Sequence, residues 1–290
     1  MSISKNSPAD RQFDQNHEDE DEASVQTATR LSARLIYEVI RRDGEEELER
    51  PTASLIWSGM AAGIVISFSV WGEAVLRTYL PDAPSSYLVE NFGYSLGFLV
   101  VILGRMQLFT ENTITTVLPV MHQQSLTCLA SMMRLWTLVL VANVVGAFVA
   151  GFFLSLPDVV SDAVQASLLD LSQHAVGMGA WQGFFRGIPA GVLVASIVWM
   201  MPSSQSGGFF IILAFTWLIA AGDLTHIIAG SVEMAYLIWQ GQLGAYAAIV
   251  DFFLPVLAGN IVGGTAIFTM LAWGQVKNEV AHGTGAPDAG

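Results

Sequence analysis

One cysteine, Cys128, stands in the 290 residues, which excludes an intramolecular disulfide and any cysteine-based metal site. Charge is scarce as well: Asp, Glu, Lys and Arg make up 13% of the chain, where a soluble domain carries about a quarter. Basic residues are the rarer sign, 12 against 25 acidic ones, for a formal net charge of -13. Much of that imbalance lies before Pro51, in His17-Glu18-Asp19-Glu20-Asp21-Glu22 and Glu45-Glu46-Glu47, so it describes a tail rather than a whole surface. Such runs are solvated and disordered or serve as a regulatory tail. The histidines at 17, 122, 174, 226 and 282 are too scattered for metal-ligand spacing. The N-terminus has no apolar h-region, so no cleavable signal peptide is expected and insertion falls to the spans themselves. No motif calls for a cofactor or a nucleic-acid partner. What is abundant is apolar: 53% of residues are hydrophobic, the balance of a polytopic, all-α membrane protein.

Along the chain, residues 1–29 read as a disordered acidic tail. Leu31, Leu35, Ile36, Val39 and Ile40 then recur at helical spacing among Arg30, Arg34, Arg41 and Arg42. Residues 30–50 therefore form an amphipathic interfacial helix, with Gly44 as its expected end. Spans are expected from Thr52 to Trp71, across an interrupted segment from Phe92 to Met121, from Leu135 to Leu156, from Met178 to Met201, across a second interrupted segment from Gly207 to Trp239, and from Phe252 to Gly274. Residues 51–276 are thus one six-span channel domain, and 277–290 a flexible C-terminus. The stretches 81–90 and 157–177 read as loops carrying acids and no Lys or Arg. With Arg30, Arg34, Arg41, Arg42 and Arg50 before the first span and Lys277 after the last, the positive-inside rule places both termini in the cytoplasm. Gly59/Gly63, Gly93/Gly97, Gly183/Gly187/Gly191 and Gly259/Gly263 fall four apart, a spacing that lets helix backbones approach closely.

The two interruptions carry the functional signal. Leu108-Phe109-Thr110-Glu111-Asn112 breaks the second span, and Asp223-Leu224-Thr225-His226 breaks the fifth. Lipid tolerates broken backbone only inside protein or along a cavity, so matching breaks in the two halves indicate inverted three-helix repeats meeting at a transport site. His226 is the sharpest candidate, an intramembrane ionisable group that can stay neutral until a proton is needed. The competing reading is a packing histidine bonded to a carbonyl. The half-helix restarting after Leu108-Phe109-Thr110 would turn N–H groups towards the cavity, with Thr110 and Thr113 adding hydroxyls. Arg105, Glu111, Arg186 and Asp223 are unusual at these depths; Arg186–Asp223 and Arg105–Glu111 are either paired struts or cavity charges that set substrate choice. Gly93-Tyr94-Ser95-Leu96-Gly97 fits the G-x-S-x-G pattern of a nucleophile elbow, but a membrane helix is the wrong setting for one.

Gly104-Arg105-Met106-Gln107-Leu108-Phe109-Thr110-Glu111-Asn112, Leu224-Thr225-His226-Ile227-Ile228-Ala229 and Gly259-Asn260-Ile261-Val262-Gly263-Gly264 together resemble the formate/nitrite transporter family over roughly residues 30–275. The resemblance implies an aquaporin-like fold, a homopentamer with one pore per protomer in the inner membrane, no enzymatic activity, and passage of small monovalent anions such as formate, nitrite or hydrosulfide. It makes His226 the pore histidine, with Thr225 beside it and Leu108, Phe109 and Thr110 as the filter loop, and places hydrophobic constrictions at Tyr94, Phe98, Val194 and Ile219. The chain departs from the family's pattern at Thr225, where an acid or amide is usual, at Gly230, where asparagine is frequent, and at Arg105, Arg186 and Asp223. Three alternatives follow: the same fold carrying a larger monocarboxylate, a non-conducting protein plugged by its salt bridges, and a hydrolase acting through Ser95. In the favoured scheme His226 lends a weak-acid anion a proton or a compensating charge between the constrictions, with protons returned or co-transported.

Overall fold

The computed structural model describes residues 31–204 and 206–282, and among these every regular element is helical. The expected disordered tail, 1–29, lies outside the described residues. Helices are numbered in chain order. α1 (Ala33–Glu49) is capped by Ser32, whose hydroxyl accepts the Leu35 N–H at 3.3 Å. The helix does not end at Gly44. It runs through it, because that glycine lets α1 lie against the Thr115 carbonyl, where a Cβ would collide. Tyr37, Ile40 and Gly44 are buried against the protein, while Leu35 and Val39 stay exposed.

The first span comprises α2 (Thr52–Val65) and α3 (Ser67–Tyr79), meeting at Ile66. It continues past Trp71 and so carries Glu73 into a membrane-length helix. α4 (Pro84–Glu90), with proline in its first turn, and α5 (Ser95–Leu103) form the first half of the second span, which resumes as α6 (Phe109–Thr115) and α7 (Val117–Gln123). α8 (Leu126–Ser155) is the third span. The fourth is α10 (Ala180–Met200), and the fifth is split into α11 (Gly208–Ala221) and α12 (Ile227–Trp239). The sixth alternates π-helical turns (Ala247–Phe253, Val262–Thr269) with α13 (Leu254–Ile261) and closes with α14 (Met270–His282). The chain stays helical beyond 276, where a flexible terminus was expected, because Val276 is buried in a small cluster with Tyr37 and Ile40 of α1.

Two expected loops are helices. Residues 157–177 contain α9 (Asp162–Val176), capped by the Ser161 hydroxyl, with Val164, Leu168, Leu171, Ser172 and Val176 buried. Asp162 and Asp170 occupy its exposed face, so the acids mark a polar stripe and not a loop. Residues 81–90 contain α4.

The bundle is built twice from one plan. In the first half, Gly63 packs on the Asn143 carbonyl and Gly146 on the Met60 carbonyl, locking the first span against the third. In the second, Gly191 packs on the Asn260 carbonyl and Gly263 on the Ile188 carbonyl, locking the fourth against the sixth. Equivalent spans lie three apart, an odd number, so the second copy is inverted in the membrane. The result is a six-span, aquaporin-like bundle of two inverted repeats with broken second and fifth helices. Large apolar side chains such as Trp57, Phe153, Phe210 and Leu271 stand exposed on its outer surface.

Candidate functional site

Each break has the same anatomy. α5 ends at Gly104, and Arg105 takes a left-handed conformation (φ 50°); the Met106 N–H then returns to the Val101 carbonyl at 3.0 Å. α11 ends at Gly222, Asp223 takes φ 55°, and the Leu224 N–H returns to the Ile219 carbonyl at 2.9 Å. This is a helix-ending turn that glycine normally occupies, so each non-glycine residue costs about 1–2 kcal/mol there. The chain then runs extended to the cap of the next half-helix, Leu108 (φ -105°, ψ 126°) or His226 (φ -112°, ψ 125°). His226 is therefore the counterpart of Leu108.

One asparagine holds each break. Asn143 Oδ1 accepts the Phe109 N–H at 2.9 Å while its Nδ2 donates to the Gly59 and Gln107 carbonyls, both at 2.8 Å. Asn260 Oδ1 accepts the Ile227 N–H at 2.8 Å while its Nδ2 donates to the Gly187 and Thr225 carbonyls, both at 2.9 Å. Both side chains are fully buried, so lipid-depth backbone that a helix leaves orphaned is satisfied here by side chains. The expectation that restarted helix N–H groups face the cavity is accordingly reduced: Phe109, Ile227 and Ala229 donate to protein atoms. Asn260 sits in a glycine-rich stretch that marks it in the sequence, whereas Asn143 is a lone amide in an apolar span and carries no such mark.

The breaks meet at His226 and Thr110. His226 Nε2 lies 2.8 Å from Thr110 Oγ1, and the Ala229 N–H donates to Nδ1 at 3.3 Å. A backbone N–H can only donate, so Nδ1 carries no proton and Nε2–H is the donor to Thr110. That leaves the Thr110 hydroxyl proton available, polarised by the histidine behind it. The Phe98 ring meets the imidazole edge-on at 4.9 Å, and Tyr94 packs on Phe98 at 5.3 Å. Val194 and Ile219 are fully buried in the apolar cluster that also holds Phe98, Leu108 and Phe109. Thr225 donates to the Gly183 carbonyl at 2.7 Å.

A cavity of about 400 Å³ approaches this centre from the side of α1, lined by Asp43, Glu47, Arg105, Gln107, Leu108 and Glu111 among others. Glu47 reaches the break itself, accepting from Gln107 Nε2 at 2.6 Å. Arg105 and Glu111 share this near vestibule, but among the described residues no ion pair within 4 Å joins them. A cavity of about 690 Å³ opens on the opposite side, lined by Glu73, Arg77, Asp82, Glu90, Asp170 and Asp223 together with His174. Here Asp223 is bound by the Arg186 guanidinium, which also donates to the Asp223 carbonyl at 3.0 Å, and by His174 Nε2 at 2.8 Å. Arg77 joins Glu90 at 3.5 Å and also binds Asp170. Between this far vestibule and His226 lies a small cavity of about 60 Å³ that includes Glu73 and Glu233. Neither glutamate was singled out from the sequence, although both are acids inside apolar spans, the signal that should have marked them.

Ser95 is fully buried on a helix with its hydroxyl on the Leu213 carbonyl, so the G-x-S-x-G match builds no nucleophile elbow. Inverted repeats, paired half-helices and vestibules on both sides of a polar centre define a membrane transport protein rather than an enzyme. Comparison with known proteins agrees with that class. The model of the formate/nitrite transporter family matches residues 34–274, and the chain belongs to that family. It is 39% identical over 250 residues to the inner membrane protein YfdC of Escherichia coli (strain K12), covering 86% of this chain and 81% of that one. It is 28% identical over 246 residues to the formate channel FocA of Haemophilus influenzae, with 74% and 84% covered. Among solved structures, an FNT family ion channel superposes with a TM-score of 0.71 at 20% identity, covering 83% of this chain and 98% of that one. A pentameric formate channel with formate bound superposes with a TM-score of 0.66 at 21% identity, covering 78% and 98%.

Proposed function

We propose that this protein is a channel for small monovalent anions of weak acids, with formate, nitrite and hydrosulfide as the substrate class. The observation that carries the reading is the His226–Thr110 hydrogen bond, set between two vestibules at the meeting point of the broken helices. An anion moving from a vestibule towards the centre loses water against Phe98, Tyr94 and Leu108, and bare charge in such a place is costly. The Thr110 hydroxyl, backed by Nε2–H of His226, supplies the hydrogen bond that water no longer gives. Passage as the neutral acid removes the remaining cost, so flux rises as the pH falls. The relatives named for formate, and the pentameric formate channel that shares the fold, support formate as first substrate and a homopentamer with one pore per protomer. The bacterial inner membrane relative supports the same location here. In this reading residues 30–50 and both termini lie on the cytoplasmic side, and 51–276 form the channel domain. The cavity beside His226, about 60 Å³, favours the small substrates over a larger monocarboxylate.

The test is formate flux into proteoliposomes at two pH values for wild type and His226→Phe. Wild-type flux that increases with acidity and falls at least about tenfold in the variant, the equivalent of about 1.4 kcal/mol on the barrier, is the expected result. Equal flux in the two proteins refutes the role of the histidine. No flux from folded wild type refutes the substrate class and returns the plugged-pore alternative, now resting on the Arg186–Asp223 pair alone.

A further inference from the structure

We propose that Glu73 and Glu233 form a proton-loading site for the pore: their shared cavity takes a proton from the far vestibule and hands it to the anion beside His226. This rests on the weak-acid reading above and names where its proton comes from.

The histidine is badly placed to be the source. Its Nδ1 is occupied by the Ala229 N–H and its single proton is already given to Thr110. Surrendering that proton would leave an imidazolate, and loading a second one on Nδ1 would break the cap of α12. A reservoir must therefore lie elsewhere, within reach of the same space.

The cavity of about 60 Å³ supplies one. The titratable groups lining it are Glu73 from α3, Tyr94 ahead of α5, His174 from α9, Asp223 from the break, and His226 and Glu233 from the cap and body of α12; its other walls are largely apolar. Glu233 is 9% exposed, and neither it nor Glu73 has a hydrogen-bond or ion-pair partner among the described residues. The cations nearby are committed, Arg186 to Asp223 and Arg77 to Glu90 and Asp170. Asp223, the third carboxyl here, is held by Arg186, and Arg77 acts on Glu73 only from beyond ion-pair distance; the two carboxyls without an ion pair do not both stay ionised, so they hold a proton. A metal ion is a poor occupant: a hard cation needs six or more oxygens, and among the described residues no three His, Cys, Asp or Glu converge as a ligand set. A hydrated ion does not fit a space with room for only a few waters.

Position gives the order of transfer. Glu73 lines both the far vestibule and the small cavity, whereas Glu233 lines the small cavity alone. The Glu233 proton passes to an oxygen of the anion, which leaves as the neutral acid while Glu233 becomes a carboxylate. Glu73 restores the proton to Glu233 and takes another from hydronium in the far vestibule, leaving water. For an anion that enters from the far vestibule, one proton accompanies each anion and no net charge crosses.

The experiment compares wild type, Glu73→Gln/Glu233→Gln and Glu233→Asp in proteoliposomes, with two readouts. The first, without substrate, is infrared difference spectroscopy across a pH step. A protonated-carboxyl C=O band in wild type that is lost in the double glutamine variant is expected, and its absence from wild type overturns the site whether or not formate moves. The second is formate uptake with an entrapped pH dye. The wild type should carry about one proton per formate. The double variant should lose the pH dependence and most of the accompanying proton uptake, and Glu233→Asp should retain both. A double variant that keeps the wild-type pH profile and stoichiometry overturns the coupling. The band without any formate flux refutes both the transport reading and the coupling, and leaves a proton site of another purpose.

Discussion

Replacing Asn260 with alanine tests the account of how the breaks are held. The amide makes three hydrogen bonds, from the Ile227 N–H and to the Gly187 and Thr225 carbonyls, all between 2.8 and 2.9 Å in a fully buried setting. Two magnitudes bracket the loss. Interhelical hydrogen bonds in membrane proteins average about 0.6 kcal/mol each, which gives roughly 2 kcal/mol for three. The Gly187 carbonyl keeps its helical partner within α10, but leaving the buried Ile227 N–H and Thr225 carbonyl unpaired at about 1–3 kcal/mol each gives roughly 2–6 kcal/mol. The larger range applies if no water reaches the hole, and the close packing of Gly191 on the Asn260 carbonyl leaves little room for one. Asn143→Ala should cost the same, because it removes the equivalent three bonds in the other repeat. Asn112→Ala is the internal control: its amide donates to a side chain, Gln107 Oε1, at 3.1 Å, so its loss should cost about 1 kcal/mol. Thermal unfolding of the purified proteins in detergent, followed by intrinsic fluorescence and by the fraction that stays dispersed on gel filtration, ranks the three. The reasoning fails if Asn112→Ala is as damaging as the other two, or if Asn260→Ala melts with the wild type.

Three further outcomes follow from the same geometry. Thr110→Val keeps the shape but strands the His226 Nε2–H, so stability should fall by about 1–3 kcal/mol and formate flux should fall with it; unchanged flux in a folded variant removes the hydroxyl from the pathway. Arg186→Ala leaves Asp223 with His174 as its counterpart, but the pair is about a third exposed, so the stability loss should be near 1 kcal/mol, and shrink in high salt. Unfolding curves at two ionic strengths check that, and a salt-independent loss of several kcal/mol argues against it. Tyr37→Phe removes a fully buried hydroxyl with no hydrogen-bond partner among the described residues, so the variant should melt with or slightly above the wild type; a clear loss would mean that the hydroxyl has a partner in the membrane.

The spans and the two breaks were legible in the sequence because these follow from rules that act within a segment; the His226–Thr110 contact, 116 residues apart, was not. Twenty apolar residues, a polar interruption at lipid depth and a glycine every fourth residue each declare themselves locally. What stayed hidden depends on which face of a helix points where. Asp162 and Asp170 made α9 look like a loop, though Val164, Leu168, Leu171 and Val176 recur at helical spacing beneath them. Glu73 and Glu233 were passed over because a run of apolar neighbours masks a single acid, and only packing shows that α3 and α12 turn those two into one cavity. Arg105 and Glu111 were open between a paired strut and cavity charges; the left-handed turn at Arg105 takes the chain out of helical spacing, both line the near cavity, and among the described residues no ion pair within 4 Å joins them.

Comparing the two repeats position by position separates what the fold requires from what transport uses. The requirements are repeated: Asn143 and Asn260, Gly63 and Gly191, and a left-handed residue at Arg105 and at Asp223. The residues at the centre are not. Leu108 caps one half-helix and His226 the other, and Thr110 stands where the second repeat has Ile228. A symmetric centre would offer either two apolar plugs or two histidines, the second of which would have to be buried without its threonine partner. Breaking the symmetry at these positions gives one donor chain, Nε2–H to Thr110, walled by Leu108 on one side and by Phe98 on the other. The charges at the turns differ in the same way. Arg105 faces the near vestibule without an ion-pair partner within 4 Å among the described residues, while Asp223 is tied down by Arg186 and His174 beside the carboxyl-rich far vestibule. Both mouths carry more carboxylates than cations, so the difference lies in how the turn residue is held. Glu73, Asp82, Glu90 and Asp170 at the far mouth concentrate protons there, which is what proton loading through Glu73 requires.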